Sequence, residues 1–119
     1  MIKGIGLDMI ELDRIDKSLQ KDNRLVKRVL TEREQALFQR LATHRRKVEF
    51  LAGRFAAKEA FSKAAGTGIG TLSFQHIDVM PSESGAPHIQ AIGYEHMRIF
   101  VSITHSDTYA VAQIVLEDV

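Results

Sequence analysis

HRRKVEFLAGRFAAKEAFSKAAG, residues 44–66, is the stretch on which the fold turns. Its apolar residues recur at helical spacing, and Gly66 is a natural C-terminal stop for a helix over His44–Ala65. A helix so rich in alanine and phenylalanine is made for burial, and Glu59 is the letter out of place. Counting about 100° per residue from Val48, Ala52 falls near ~40°, Phe55 near ~340° and Glu59 near ~20°, within the apolar stripe. An ionised carboxylate in that position must pair, protonate or hold a cation. Spacing offers two partners. Lys63, one turn on near ~60°, stands in the favourable order for a helical Glu-to-Lys pair, which contributes only about 0.2–0.5 kcal/mol. The alternative is a divalent cation shared with a second acid, since hard ions such as Mg²⁺ take oxygen ligands and keep several waters.

Toward the N-terminus, IKGIGLDMIEL alternates, with Ile5, Leu7 and Met9 on one face and Gly4, Gly6 and Asp8 on the other. The pattern predicts a strand with one apolar face and one nearly bare face. Glycine inside a strand marks the close approach of a ligand or another backbone, so Asp8 is expected on open ground, the evident second acid for Glu59. Asp13 reads as the N-cap of a basic helix running toward Asp22–Asn23. TERE at residues 31–34 reads as a capping box opening a helix that carries Leu37, Phe38 and Leu41. Three helices are thus expected before most of the sheet. Toward the C-terminus, LSFQHIDVM and PHIQAIG read as strands about the turn PSESGA, and RIFVSITH and TYAVAQIVLE as two more joined at Ser106–Asp107. Ile99, Val101 and Ile103 should line one face, leaving Ser102 and Thr104 on the other. The fold class is α+β, a mainly antiparallel sheet packed with helices.

The length of 119 residues suits one domain, residues 1–119, too small to enclose a deep private pocket, so a site shared between subunits is in view. A hydrophobic share of 45%, a charged share of 26% and only two prolines describe an ordered globular chain. With no cysteine, neither a disulfide frame nor a thiolate metal site is available. The absence of a secretory pattern and of a long uncharged apolar run points to the cytoplasm, with no membrane partner. The net charge of +1 hides a local bias: Arg14, Lys17, Lys21, Arg24, Lys27 and Arg28 outnumber Asp16 and Asp22, and Arg45, Arg46 and Lys47 follow. An anionic partner is implied. A noncatalytic nucleic-acid-binding module is the rival from another class, but the chain has no Trp and only two Tyr for a stacking platform. A metal-dependent nucleotide hydrolase, using the same acids, is the rival enzyme. GTGIG at residues 66–70 could offer backbone N–H groups to phosphate, yet it matches no nucleotide fingerprint and helix termination explains it as well. Ser102, His105, Ser106 and Asp107 carry the residue types of a hydrolytic triad, but neighbours in a turn rarely have triad geometry.

Three blocks in order, GIGLD, RFAAKEAFSKAAGTGIG and VSITHSDTYAVAQ, give the whole chain a resemblance to holo-acyl-carrier-protein synthase, the small bacterial branch of the 4'-phosphopantetheinyl transferases. The resemblance implies that family's fold and the transfer of phosphopantetheine from coenzyme A to a serine of apo acyl carrier protein, releasing adenosine 3',5'-bisphosphate, for fatty acid biosynthesis. It puts Mg²⁺ on Asp8 and Glu59 and a phosphate contact on Lys63. It offers Arg14, Lys17, Lys21, Arg24 and Arg28 as the docking surface for the acidic carrier protein. It implies that Arg45 and Arg46 serve the carrier or the 3'-phosphate of coenzyme A, and that Thr104 and His105 contact coenzyme A. It further implies a homotrimer with active sites at subunit interfaces. Two positions depart from the pattern. Leu7 stands where relatives often carry a small polar residue, and Gly85-Ala86-Pro87 lacks the basic residue they often have in that turn, which removes a possible nucleotide contact.

Overall fold

The computed structural model of the chain describes residues 1–69 and 73–119. Gly70, at the end of the GTGIG run, and Leu72, at the start of LSFQHIDVM, lie outside the described residues. The elements follow in the order β1 (Ile2–Glu11), α1 (Leu12–Lys21), α2 (Arg24–Val29), α3 (Glu32–Arg40), α4 (His44–Ala65), β2 (Ile77–Pro81), β3 (Pro87–Ala91), β4 (Met97–His105) and β5 (Tyr109–Asp118). One antiparallel sheet has the order β1-β5-β4, and β2 and β3 form a separate antiparallel hairpin.

The long helix has the limits its sequence predicts. At its start the Thr43 side chain accepts from the Arg46 N–H; at its end Gly66, at φ 77°, turns its N–H back to Lys63 and Ser62. That left-handed residue is where a side chain would be strained and glycine is not. Leu51, Ala52, Ala56, Ala57, Ala60 and Phe61 are all buried. The helix lies across β1 and β5 and also touches α1, α2, α3, β2 and β4.

Strand β1 keeps its predicted alternation with the inward face reversed. The face of Gly4, Gly6 and Asp8 is the one covered by α4, so Asp8 does not stand on open ground. A Cβ added at Gly6 would lie 1.7 Å from the Ala60 carbonyl oxygen, and one at Gly4 would lie 2.0 Å from that of Ala64. The bare face lets a helix backbone rest directly on a strand, as glycine does where another backbone comes close. Gly6→Ala should therefore destabilise the fold by ~1–3 kcal/mol through overpacking against backbone that cannot step aside. Urea denaturation tests this, and an unchanged midpoint would mean that helix and strand separate freely. The opposite face of the sheet is apolar and open: Ile5 is 63% exposed, Leu7 58%, Met9 60% and Phe100 54%. Register places Ile5, Val115 and Phe100 in one row across all three strands.

Other expectations are corrected locally. The basic helix is two helices, because Asp22 leaves helical geometry and its carboxylate accepts from the Arg24 N–H at 3.0 Å. Asp13 lies in the first turn of α1 rather than at its N-cap, since the chain passes straight from β1 through Glu11. Ser73 caps a short 3₁₀ turn at Phe74–His76, so the first part of LSFQHIDVM is not strand. The capping box at Thr31 and Glu34 is present.

Glu34 does more than cap. Its carboxylate also accepts from buried Lys58 Nζ at 2.5 Å and from the Val79 N–H at 2.7 Å. Lys58 Nζ donates in addition to the carbonyls of Val29 at 2.6 Å and Phe74 at 3.2 Å. A single ammonium thus joins α2, α3, α4 and the turn before β2, and burial pulls the Lys58 amine below the ordinary lysine range. No helix among the described residues is long and apolar enough to cross a membrane.

Candidate active site

The contact between β1 and the last turns of α4 brings Asp8, Glu59 and Lys63 to one place. Lys63 Nζ lies 3.0 Å from Asp8 Oδ1 and donates to the Leu7 carbonyl at 3.0 Å. The Asp8 side chain is 17% exposed and that of Lys63 53%, so the pair sits at the mouth of the strand–helix contact rather than deep inside. This overturns the helical pairing of Lys63 with Glu59: among the described residues the Glu59 carboxylate has no ion-pair partner. Burial and, next, the negative charge of Asp8 raise the Glu59 carboxyl above its ordinary range, while Lys63 and Arg28 pull the other way. A lysine one turn away is a weak partner for Glu59 when a strand carboxylate competes for it.

Such a group has a chemical meaning. Two carboxylates that repel one another, with one ammonium committed to the first, leave oxygen donors short of positive charge. Hard oxygen donors of that kind suit Mg²⁺, which is held by one or two carboxylates together with waters and phosphate oxygens. Among the described residues no cluster of three or more His, Cys, Asp or Glu forms an all-protein metal cage. The donor set fits an ion that would complete its ligands from outside this cluster, and the half-exposed Lys63 ammonium stands beside it.

The remaining residues fall into separate groups. Arg45 is committed, its guanidinium donating to Glu49 Oε2 at 3.1 Å and to the Asp107 carbonyl at 3.1 Å. Arg46 and His105 line a cavity of about 420 Å³ with Glu49, Phe50, Arg54 and Ile103. His105 Nδ1 lies 3.6 Å from Glu49 Oε2. Thr104 belongs to the open sheet face instead, one residue and one pleat away. Along α4 at about 1.5 Å per residue, Arg46 and Lys63 are separated by ~25 Å. One copy of the chain does not unite these basic groups with the two acids.

Arg54 is a cationic residue that sequence reasoning missed. Its guanidinium stacks 3.9 Å above the Phe50 ring and donates to the Val79 carbonyl at 3.3 Å, which holds it at the cavity wall. The signal was an arginine in the same apolar helix as Glu59. Arg14, Lys17 and Lys21 are exposed on α1, and Arg24 and Arg28 on α2. Lys17 pairs with Asp13 at 3.0 Å and Arg24 with Asp22 at 3.5 Å. Arg28 stands over the Phe74 ring at 5.5 Å, and its positive charge is, after Lys63, a lesser influence lowering the Glu59 carboxyl.

The family profile of the 4'-phosphopantetheinyl transferase superfamily matches residues 4–114. The holo-[acyl-carrier-protein] synthase of Oceanobacillus iheyensis is 53% identical over 117 residues, and that of Enterococcus faecalis 54%, each match covering 98% of this chain and 98% of the relative. A crystal structure of a holo-(acyl-carrier-protein) synthase from Bacillus anthracis in complex with CoA (3',5'-ADP) superposes with a TM-score of 0.89 at 48% identity, covering 100% of this chain and 99% of that one.

Proposed function

From the premise that the chain belongs to the 4'-phosphopantetheinyl transferase superfamily, as a holo-acyl-carrier-protein synthase, we propose that residues 1–119 work as one transferase domain with Asp8, Glu59 and Lys63 at its reacting centre. The substrates are coenzyme A and an acidic apo acyl carrier protein. The serine hydroxyl of the carrier attacks the β-phosphorus of the coenzyme A diphosphate. A P–O bond forms to the serine, the bond to the bridging oxygen breaks, adenosine 3',5'-bisphosphate departs and the serine proton is lost. The product would serve fatty acid biosynthesis in the cytoplasm. The observation that carries this reading is the meeting of Asp8 and Lys63 at 3.0 Å beside a Glu59 carboxyl that has no ion-pair partner among the described residues.

Asp8 and Glu59 would hold Mg²⁺, which when bound supplies charge neutralisation for the diphosphate and for the departing phosphate. Lys63 orients the same diphosphate and adds a fixed positive charge on the side where negative charge develops. Arg46 and His105, with Thr104 and Arg45 near the same end of the sheet, are assigned to coenzyme A. The distance of Arg46 from Glu59 and Lys63 along α4 supports a site completed by a neighbouring copy, and the open apolar row of Ile5, Val115 and Phe100 supports a homotrimer built on that sheet face. Leu7→Glu, at the centre of that face, should then yield monomers by sedimentation analysis, whereas an unchanged oligomer would move the interface elsewhere.

Arg14, Lys17, Lys21, Arg24 and Arg28 form the docking surface for the carrier. Such rim charges act chiefly on the association rate. Reversing Arg14 and Arg24 to glutamate should raise the apparent KM for carrier by ~10-fold at low salt and flatten its salt dependence. Equal KM and equal salt dependence would remove α1 and α2 from the docking surface.

One mixture tests the activity: protein, Mg²⁺, coenzyme A and apo carrier, followed by the mass of the carrier. A gain of one phosphopantetheine supports transfer. Release of adenosine 3',5'-bisphosphate with no gain on the carrier would identify a hydrolase, and neither change would reject the reading.

A further inference from the structure

We propose that Lys63 is the resident cation of the Asp8 arm: it occupies the carboxylate while the site is metal-free, opposes metal binding on its own, and is released to the diphosphate when a divalent ion takes its place. The idea rests on the two-acid metal reading and adds to it an order of events and a set of couplings.

Three features of the contact carry it. Lys63 Nζ reaches back from the last turn of α4 to Asp8 Oδ1 at 3.0 Å, so the ammonium sits on the carboxylate that the metal reading assigns to the ion. Its second bond, to the Leu7 carbonyl at 3.0 Å, holds the amine in that position rather than over Glu59. The Lys63 side chain is about half exposed and its four-carbon stem is flexible, so release needs rotation of one side chain and no movement of β1 or α4. Glu59, without an ion-pair partner among the described residues, is the arm left open.

An ammonium held on Asp8 and a dication bound by the same carboxylate repel one another. Lys63 must therefore leave Asp8 as the ion arrives, giving up its pair and moving toward solvent or phosphate. A diphosphate nearby gives it a new partner and removes that penalty. Metal and coenzyme A should consequently strengthen each other's binding, and reciprocity requires the same factor in both directions. A free ion, in contrast, should bind weakly.

The test follows Mn²⁺, an oxygen-preferring ion visible by electron paramagnetic resonance, titrated into the protein without coenzyme A. Removing the competing charge in Lys63→Met should tighten Mn²⁺ binding about fivefold, as expected for loss of one partly exposed ion pair. Lys63→Arg, which keeps the charge, should stay as weak as the wild type. Circular dichroism controls for folding. If Lys63 instead supports Asp8 in a metal-ready position, Lys63→Met will bind Mn²⁺ more weakly; that result, or equal affinity, overturns the proposal and leaves the metal reading intact. If Asp8→Asn and Glu59→Gln bind Mn²⁺ as well as the wild type, the metal reading falls and this proposal with it.

Discussion

Lys58→Met should destabilise the protein by about 3–5 kcal/mol, the usual consequence of removing one member of a fully buried ion pair. That is a large part of the ~5–15 kcal/mol that holds a typical domain together. The substitution preserves much of the side chain's volume but removes three hydrogen bonds at once. The carbonyls of Val29 and Phe74 and one oxygen of Glu34 lose the ammonium that links them. An unpaired charge then remains on Glu34, which has no route to water because its side chain is fully buried. Denaturant unfolding at neutral pH measures the loss. Because both residues belong to one network, Lys58→Met combined with Glu34→Gln should destabilise by clearly less than the sum of the single changes. Additive losses, or a Lys58→Met change below ~1 kcal/mol, would mean that the buried pair is not what ties α2 and α3 to the long helix.

The Lys58–Glu34 pair also shows what the sequence does not disclose. Helix α4 was legible because its end is set locally, by the left-handed Gly66; the Thr43 cap that fixes its start was not read. The alternation of β1 was legible for the same reason. Which face of β1 turns inward was not, because hydrophobicity points to Ile5, Leu7 and Met9 while the inward face is chosen by the absence of side chains at Gly4 and Gly6. The helix backbone that needs this space lies more than fifty positions away in the chain. Lys63 failed similarly: spacing within one helix favours Glu59, but the folded chain brings Asp8 to its amine. The break between α1 and α2 has neither Gly nor Pro, only an aspartate bonding to the backbone two residues ahead. Asp8, Glu59 and Lys63 could be named as a group in advance because each is a charged residue in an otherwise apolar or bare setting. How they pair depends on contacts that no local pattern encodes.

Glu59→Gln should move two measurements in opposite directions. Transfer should fall by ~10²–10³-fold, the usual loss when a group acting on developing charge is removed. In chelator-treated protein, the same change should raise thermal stability at neutral pH. Burial and Asp8 raise the Glu59 carboxyl, so folding favours its protonated form. The sign follows from linkage. The stabilisation is complete below the ordinary value of 4.5 and is lost as pH rises through the raised value. At neutral pH the wild type therefore carries a burial cost and a repulsion that glutamine lacks, and the two melting temperatures should converge as pH falls below that ordinary value. A carboxylate kept for structure would behave otherwise: its amide would melt lower at neutral pH, and transfer would fall only in proportion to unfolding. Near wild-type transfer at low Mg²⁺ would exclude Glu59 as a ligand. Gain of stability together with loss of transfer is the signature of a carboxylate held in an unfavourable place for the sake of a cation, which is the reason an acid can interrupt the apolar run of FAAKEAFSKA.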